Sequence, residues 1–237
     1  MQKTITRSLL AGVLLTATSC AGSYTALRPD RVPYQMAVAT TGPVEFTYQY
    51  DALIQHGHRN KKYVKKETKY GYQIVDVRIT NHTSQELNFS RDLTLFYGDR
   101  PISPVPAMQA AHDLRQGVLI YLLYIPANVT IGGTIDPITG QTRGGSFLPT
   151  GPIIAAGNIV GASSANSNLR REFEQYDLTN RVIKPGETVY GIVSLRETNV
   201  APLRLEMRAP IATQTVPPAS ALPTPIPAAP SLNSEGN

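Results

Sequence analysis

The chain has 237 residues, a formal net charge of +5, only 16% charged residues, twelve tyrosines, five phenylalanines and no tryptophan. That charge is too small to argue for a nucleic-acid partner, and a single cysteine excludes an intrachain disulfide framework. A chain of this length buries one sizeable core and has room for an inserted second element.

Lys3 and Arg7 precede the apolar run Leu-Leu-Ala-Gly-Val-Leu-Leu at 9–15, and the small residues Thr16, Ala17, Thr18 and Ser19 lead to Cys20. A positive start, a short apolar run and small residues at a cleavage point form a secretory signal. The run is too short for a lasting membrane span. The segment resembles the lipobox of bacterial lipoproteins, although Ala17 stands where leucine is usual. The resemblance implies that residues 1–19 are removed and that Cys20 becomes an acylated first residue. An ordinary signal peptide cut near Ala17 or Ala21 is the alternative. Ala21 follows the cysteine and no acid appears before Asp30. By analogy with lipoprotein sorting, this implies an outer-membrane position facing the periplasm. The covalent lipid on Cys20 is the expected membrane attachment, and no other cofactor is expected.

Residues 20–43, broken by Pro29, Pro33 and Pro43, read as a tether between lipid and body. Strand signals follow. Residues 44–52 alternate around Phe46, Tyr48 and Tyr50. Residues 73–81 carry Ile74, Val75, Val77 and Ile79 and end in Asn81. Shorter strands fall at 86–90 and 93–97, the latter closed by Gly98-Asp99-Arg100-Pro101. Downstream, the turn Lys184-Pro185-Gly186-Glu187 opens a strand at 188–196. There Val189, Gly191, Val193 and Leu195 oppose Tyr190, Ile192 and Ser194. A last strand spans 203–207.

The segments 71–83, 93–99 and 183–195 resemble immunoglobulin-like β-sandwich domains of exported bacterial lipoproteins: an alternating strand ending in Asn, an amphipathic pair, and a Pro-Gly-Glu turn before a late strand. The resemblance implies a mainly β fold, an immunoglobulin-like antiparallel β-sandwich over 44–208, interrupted by a helical and apolar insertion at 102–181 (α+β overall). It implies no particular function.

Within the insertion, residues 107–125 read as one helix ended by Pro126, with 118–125 apolar on all sides. A short hairpin is expected within 127–149, turning at Asp136-Pro137-Ile138-Thr139-Gly140. Two further helices are expected, at 150–161 and 168–178. Residues 209–237 hold seven prolines among Ala, Thr and Ser and read as an extended or disordered tail.

Three features carry candidate sites. The two apolar runs of the insertion, with Gly157 and Gly161 in a GxxxG, suit a helical layer packed on the sandwich, or else partial membrane insertion or assembly through this patch. The basic run Arg59, Lys61, Lys62, Lys65, Lys66 and Lys69, interleaved with Tyr63 and Tyr70, reads as a solvated loop or edge strand, or as a contact for lipid headgroups or an acidic polymer. His56 and His58 would share a face of a strand and could begin a metal site. The sequence places no third ligand, His82, His112 and Asp51 being no more than candidates, and surface histidines are the ordinary reading. No catalytic signature of hydrolases, metalloproteases or nucleotide-binding enzymes is present. The sequence thus reads as a non-catalytic binding or assembly module, held to the membrane by its N-terminal lipid and meeting a protein partner or a second copy, with no nucleic acid and no identified small-molecule substrate. The alternative is a small-molecule or glycan binder or hydrolase with a pocket lined by Tyr121, Tyr124 and Tyr176.

Overall fold

The computed structural model describes residues 21–34, 36–37, 42–55 and 60–208. Cys20, His56, His58, Arg59 and the tail at 209–237 lie outside the described residues. The strands in chain order are β1 (Met36–Ala37), β2 (Val44–Gln49), β3 (Gln73–Asn81), β4 (Leu87–Asn88), β5 (Leu93–Tyr97), β6 (Arg100–Ile102), β7 (Val129–Ile131), β8 (Thr134–Ile135), β9 (Thr142–Arg143), β10 (Ser146–Leu148), β11 (Val182–Ile183), β12 (Thr188–Leu195) and β13 (Leu203–Met207). The α-helices are α1 (Ala52–Gln55), α2 (Lys61–Tyr70), α3 (Phe89–Asp92), α4 (Ala107–Leu114) and α5 (Thr150–Gln175). The protein is therefore a mixed α+β chain built on antiparallel sheets, with more helix than a mainly β reading allows.

One sheet runs β1-β2-β3-β12 and a second runs β13-β5-β6. The period-2 patterns set their register. β12 pairs β3 along its whole length from Leu195↔Gln73 to Thr188↔Thr80, and Phe46 of β2 faces Ile79. The side chains of alternate residues then fall on opposite faces. Val75, Val77, Ile79, Val189, Val193 and Leu195 join Leu93, Leu95, Leu203 and Leu205 in one buried cluster between the sheets. Gly191 belongs to this face because a Cβ there would lie 2.4 Å from Leu178 Cγ. Ile74 and Ile192, on the opposite face of the same sheet, join a second cluster with Tyr63 of α2, Ala110 and Leu114 of α4, and Leu169 and Phe173 of α5. Three layers result: small sheet, large sheet, helices.

The insertion both packs and projects. Its α4 and the second half of α5 belong to the helical layer. No residue of 115–164 enters either cluster.

Several expected elements differ. The helix expected at 107–125 stops at Leu114. Residues 115–118 leave the helix, and a 3₁₀ turn follows at Leu119–Tyr124. The cause is a tertiary contact: the backbone N–H and C=O of Gln116 are both taken by the side chain of Asn166. The two helices expected at 150–161 and 168–178 are one helix of 26 residues. The basic run from Lys61 onward is a helix, α2, and not a loop or an edge strand. Only Tyr63 and Glu67 of α2 are buried, so its apolar period is too sparse to read from sequence. Gly71 closes α2 with φ 66°, a left-handed position that suits glycine.

The expected tether also differs. Residues 21–34 lie against the body, with Leu27 wholly buried in the helical cluster.

Candidate functional site

The N-terminal arm is held by side-chain carboxamides. A carboxamide offers one acceptor and one donor side by side, which matches the C=O and N–H of a peptide group. Asn60 uses both on one residue: Thr25 N–H donates to its Oδ1 at 2.9 Å, and its Nδ2 donates to Thr25 O at 3.0 Å. Gln116 does the same with Gly22, at 3.1 and 2.8 Å. Asn158 of α5 accepts from the Ala21 N–H at 2.6 Å and donates to Ile154 O at 2.9 Å. All three side chains are buried, and each such bond contributes about 0.5–1.5 kcal/mol net. Further along the arm, Glu172 of α5 accepts from Leu27 N–H at 2.7 Å and from the Tyr24 hydroxyl. Burial, with the Glu172 carboxylate second, pushes the Tyr24 phenol far above its ordinary range.

Sequence reasoning missed these groups. The one available signal was Asn158 itself, a polar residue on the stripe Gly151, Ala155, Asn158, Ala162, Ala165, Leu169, Phe173 that α5 buries at steps of three and four.

The arm enters at the first half of α5. A Cβ on Gly161 would lie 3.2 Å from Ala21 Cβ, and one on Gly22 would lie 2.8 Å from Lys62 Cδ. Gly161 of the GxxxG thus faces the arm, and Gly157 is half-buried. The close helix contact falls at Gly151 instead, where a Cβ would lie 2.3 Å from the carbonyl oxygens of Tyr124 and Ile125. Thr150 Oγ1 also donates to Ala127 O at 2.9 Å. These contacts join the 3₁₀ turn to the start of α5.

Beyond that junction, strands β7–β10 form one hairpin, pairing as β7·β10 and β8·β9. Asp136 Oδ1 accepts from the N–H groups of Ile138 and Thr139 and so shapes its turn. Gly145, at φ 145°, kinks the second arm where a Cβ would lie 3.1 Å from Gly133 N.

This outer end is apolar and faces outward. Leu119 is 78% exposed and Leu123 72%, and Ile120, Ile125, Phe147, Ile153 and Val160 are exposed too. Between Arg115 and Arg170 the only charged residues in the sequence are Asp136 and Arg143, and those two approach each other at 3.9 Å. Of the α2 lysines, Lys62 reaches this end. Lys62 Nζ donates to the Tyr121 hydroxyl at 2.6 Å and lies 5.2 Å from the centre of that ring. Lys66 and Lys69 lie over Tyr70, while Lys61, Lys65 and Lys69 are exposed.

The remaining candidates are scattered. Tyr121 and Tyr124 stack at 6.4 Å, but Tyr176 sits past the far end of α5 and donates to Asp30, so the three tyrosines line no common pocket. A cleft of about 780 Å³ lies instead within the insertion, between α4 and α5, lined by Met108, His112, Arg115, Ile120, Asn166 and Arg170 among others. His82 approaches Glu45 at 3.4 Å and His112 approaches Asp113 at 3.3 Å. Among the described residues no group of three or more His, Cys, Asp or Glu side chains is placed to hold a metal ion. Among them also, no helix is long and apolar enough to cross a membrane. No protein family, no curated protein and no solved structure matches the chain.

Proposed function

We propose that the chain is a lipid-anchored protein of the cell envelope, attached through acyl groups on Cys20 at the outer membrane and facing the periplasm. Its body is a non-catalytic binding and assembly module. The two packed sheets are read as an immunoglobulin-like sandwich that serves as the scaffold, and the insertion is the working part, meeting a protein partner or a second copy. Nucleic acid has no role in this reading, and no cofactor beyond the lipid is needed.

One observation carries it. The outer end of the insertion exposes many large apolar side chains that neither core uses. Soluble proteins keep such patches small unless they meet a partner or a membrane. The arm that would carry the lipid reaches the body beside that surface.

Metabolic labelling of growing cells with a palmitate analogue tests the anchor. The expected result is a labelled mature protein in the membrane fraction, with label and fractionation both lost in Cys20→Ser. An unlabelled wild-type protein would overturn the reading, as would a serine variant with unchanged processing and fractionation.

A further inference from the structure

We propose that the apolar end of the insertion is a second membrane contact, seated in the interfacial layer of a lipid bilayer beside the acylated residue, so that the body is held in one orientation and does not swing on a tether. The inference rests on the lipid-anchor reading above and gives this one surface to the bilayer in place of a protein partner or a second copy.

The placement of the arm is the first support. Ala21 N–H is bonded to Asn158, and Gly22 is clamped by Gln116. Residue 20 is joined to Ala21 by one peptide bond, about 3.8 Å between Cα atoms. An acyl chain on Cys20 therefore starts within a few ångströms of the first half of α5, where Ile153 and Val160 are exposed. A bilayer holding that chain already lies against this end of the molecule.

Surface chemistry is the second support. Leu119, Leu123 and Phe147 face outward on a stretch whose only two charges face each other. Lys62 of α2 stands at its border beside Tyr121, and Arg115 and Arg170 line the cleft beside Leu119 and Ile120, where anionic headgroups would meet them. An apolar face with cations at its edge fits an interfacial contact. The depth is limited by the hairpin, because unpaired strand edges are not tolerated in hydrocarbon. The apolar groups are divided among a 3₁₀ turn, a hairpin and a helix start. A fluid lipid layer accommodates that relief more readily than the matching face of a second copy.

The chain contains no tryptophan, so one introduced indole reports alone. Full mature chains, acylated and Cys20→Ser, would carry either Leu123→Trp or, as control, Val182→Trp, whose position lies past the other end of α5. Vesicles of phosphatidylethanolamine and phosphatidylglycerol, with and without brominated acyl chains, are the probe. The expected result is a blue-shifted, bromine-quenched indole at 123 in both chains, and an unshifted one at 182. Leu119→Glu with Leu123→Glu should weaken flotation of the serine chain about tenfold or more, with circular dichroism unchanged. An acylated chain that floats with its indole at 123 still in water would overturn the inference and leave the anchor standing. Insertion of the indole in a chain that cells never acylate would remove the anchor alone. A blue shift that grows with protein concentration without vesicles would assign the surface to a second copy and overturn the inference.

Discussion

Glu67 shows how one residue can go unmarked in sequence and be informative in structure. It is a lysine-flanked position on α2, yet its side chain is buried and accepts the Ile74 N–H at 2.8 Å. Burial pushes its carboxyl from an ordinary 4.5 up to about 7, against the opposing pull of the Ile74 N–H, with Asp51 adding a smaller push upward. A raised carboxyl favours the neutral form in the folded state. Its contribution to stability is present below about pH 4.5 and is lost as pH rises through about 7. Glu67→Gln keeps an acceptor and stays neutral. Thermal melts should show the variant more stable than wild type at about pH 8, by up to about 3 kcal/mol. Below about pH 4.5 that advantage should vanish. An equal difference at both pH values would contradict a buried, titrating Glu67. The carboxamides of Asn60, Gln116 and Asn158 show the same limit of reading at a distance. Asn158 meets Ala21 across 137 positions of sequence, and nothing local marks the pair.

At the scale of elements, legibility followed the period of the apolar pattern. β3, β5, β12 and β13 were legible because alternation and turn chemistry agree: Leu-Thr-Leu-Phe-Tyr at 93–97 is bounded by Gly98 and Asp99, and 188–195 opens after Pro185-Gly186. The hairpin turn at Asp136-Pro137-Ile138-Thr139-Gly140 was legible for the same reason. α5 was legible in two pieces, at 150–161 and from 168, but not as one helix. Its buried face through the join is Ala162 and Ala165, which carry little hydrophobic contrast, so residues 162–167 did not read as helix. The docked arm was hidden because its partners are polar and distant, and prolines made it look like a spacer. The hairpin 129–148 contributes nothing to either buried cluster, and Thr150 holds the chain ends together through Ala127. Replacing 129–148 by a short Gly-Ser link should therefore change Tm by less than about 3 °C. A loss of cooperative unfolding would show that the hairpin is structural.

For the molecule as a whole, the layers explain why exposed apolar side chains gather at one end. The sheets and the helical layer consume the apolar residues of β2, β3, β5, β12, β13, α4 and the second half of α5. Most of the large apolar side chains left outward among the described residues lie on the 3₁₀ turn, the hairpin and the start of α5, and the arm converges on that start through Asn158. The candidate site was half legible: the apolar runs and the lysines stood out in the sequence, but their convergence with Ala21 exists only in the fold. The most direct measurement is hydrogen exchange of the mature acylated protein, in detergent-free vesicles and after release from them. The account predicts slowed exchange on vesicles at 119–131 and 146–161, with no change across 182–207. Protection confined to the small sheet around β5 and β13, or exchange at 119–131 unaffected by lipid, would contradict it.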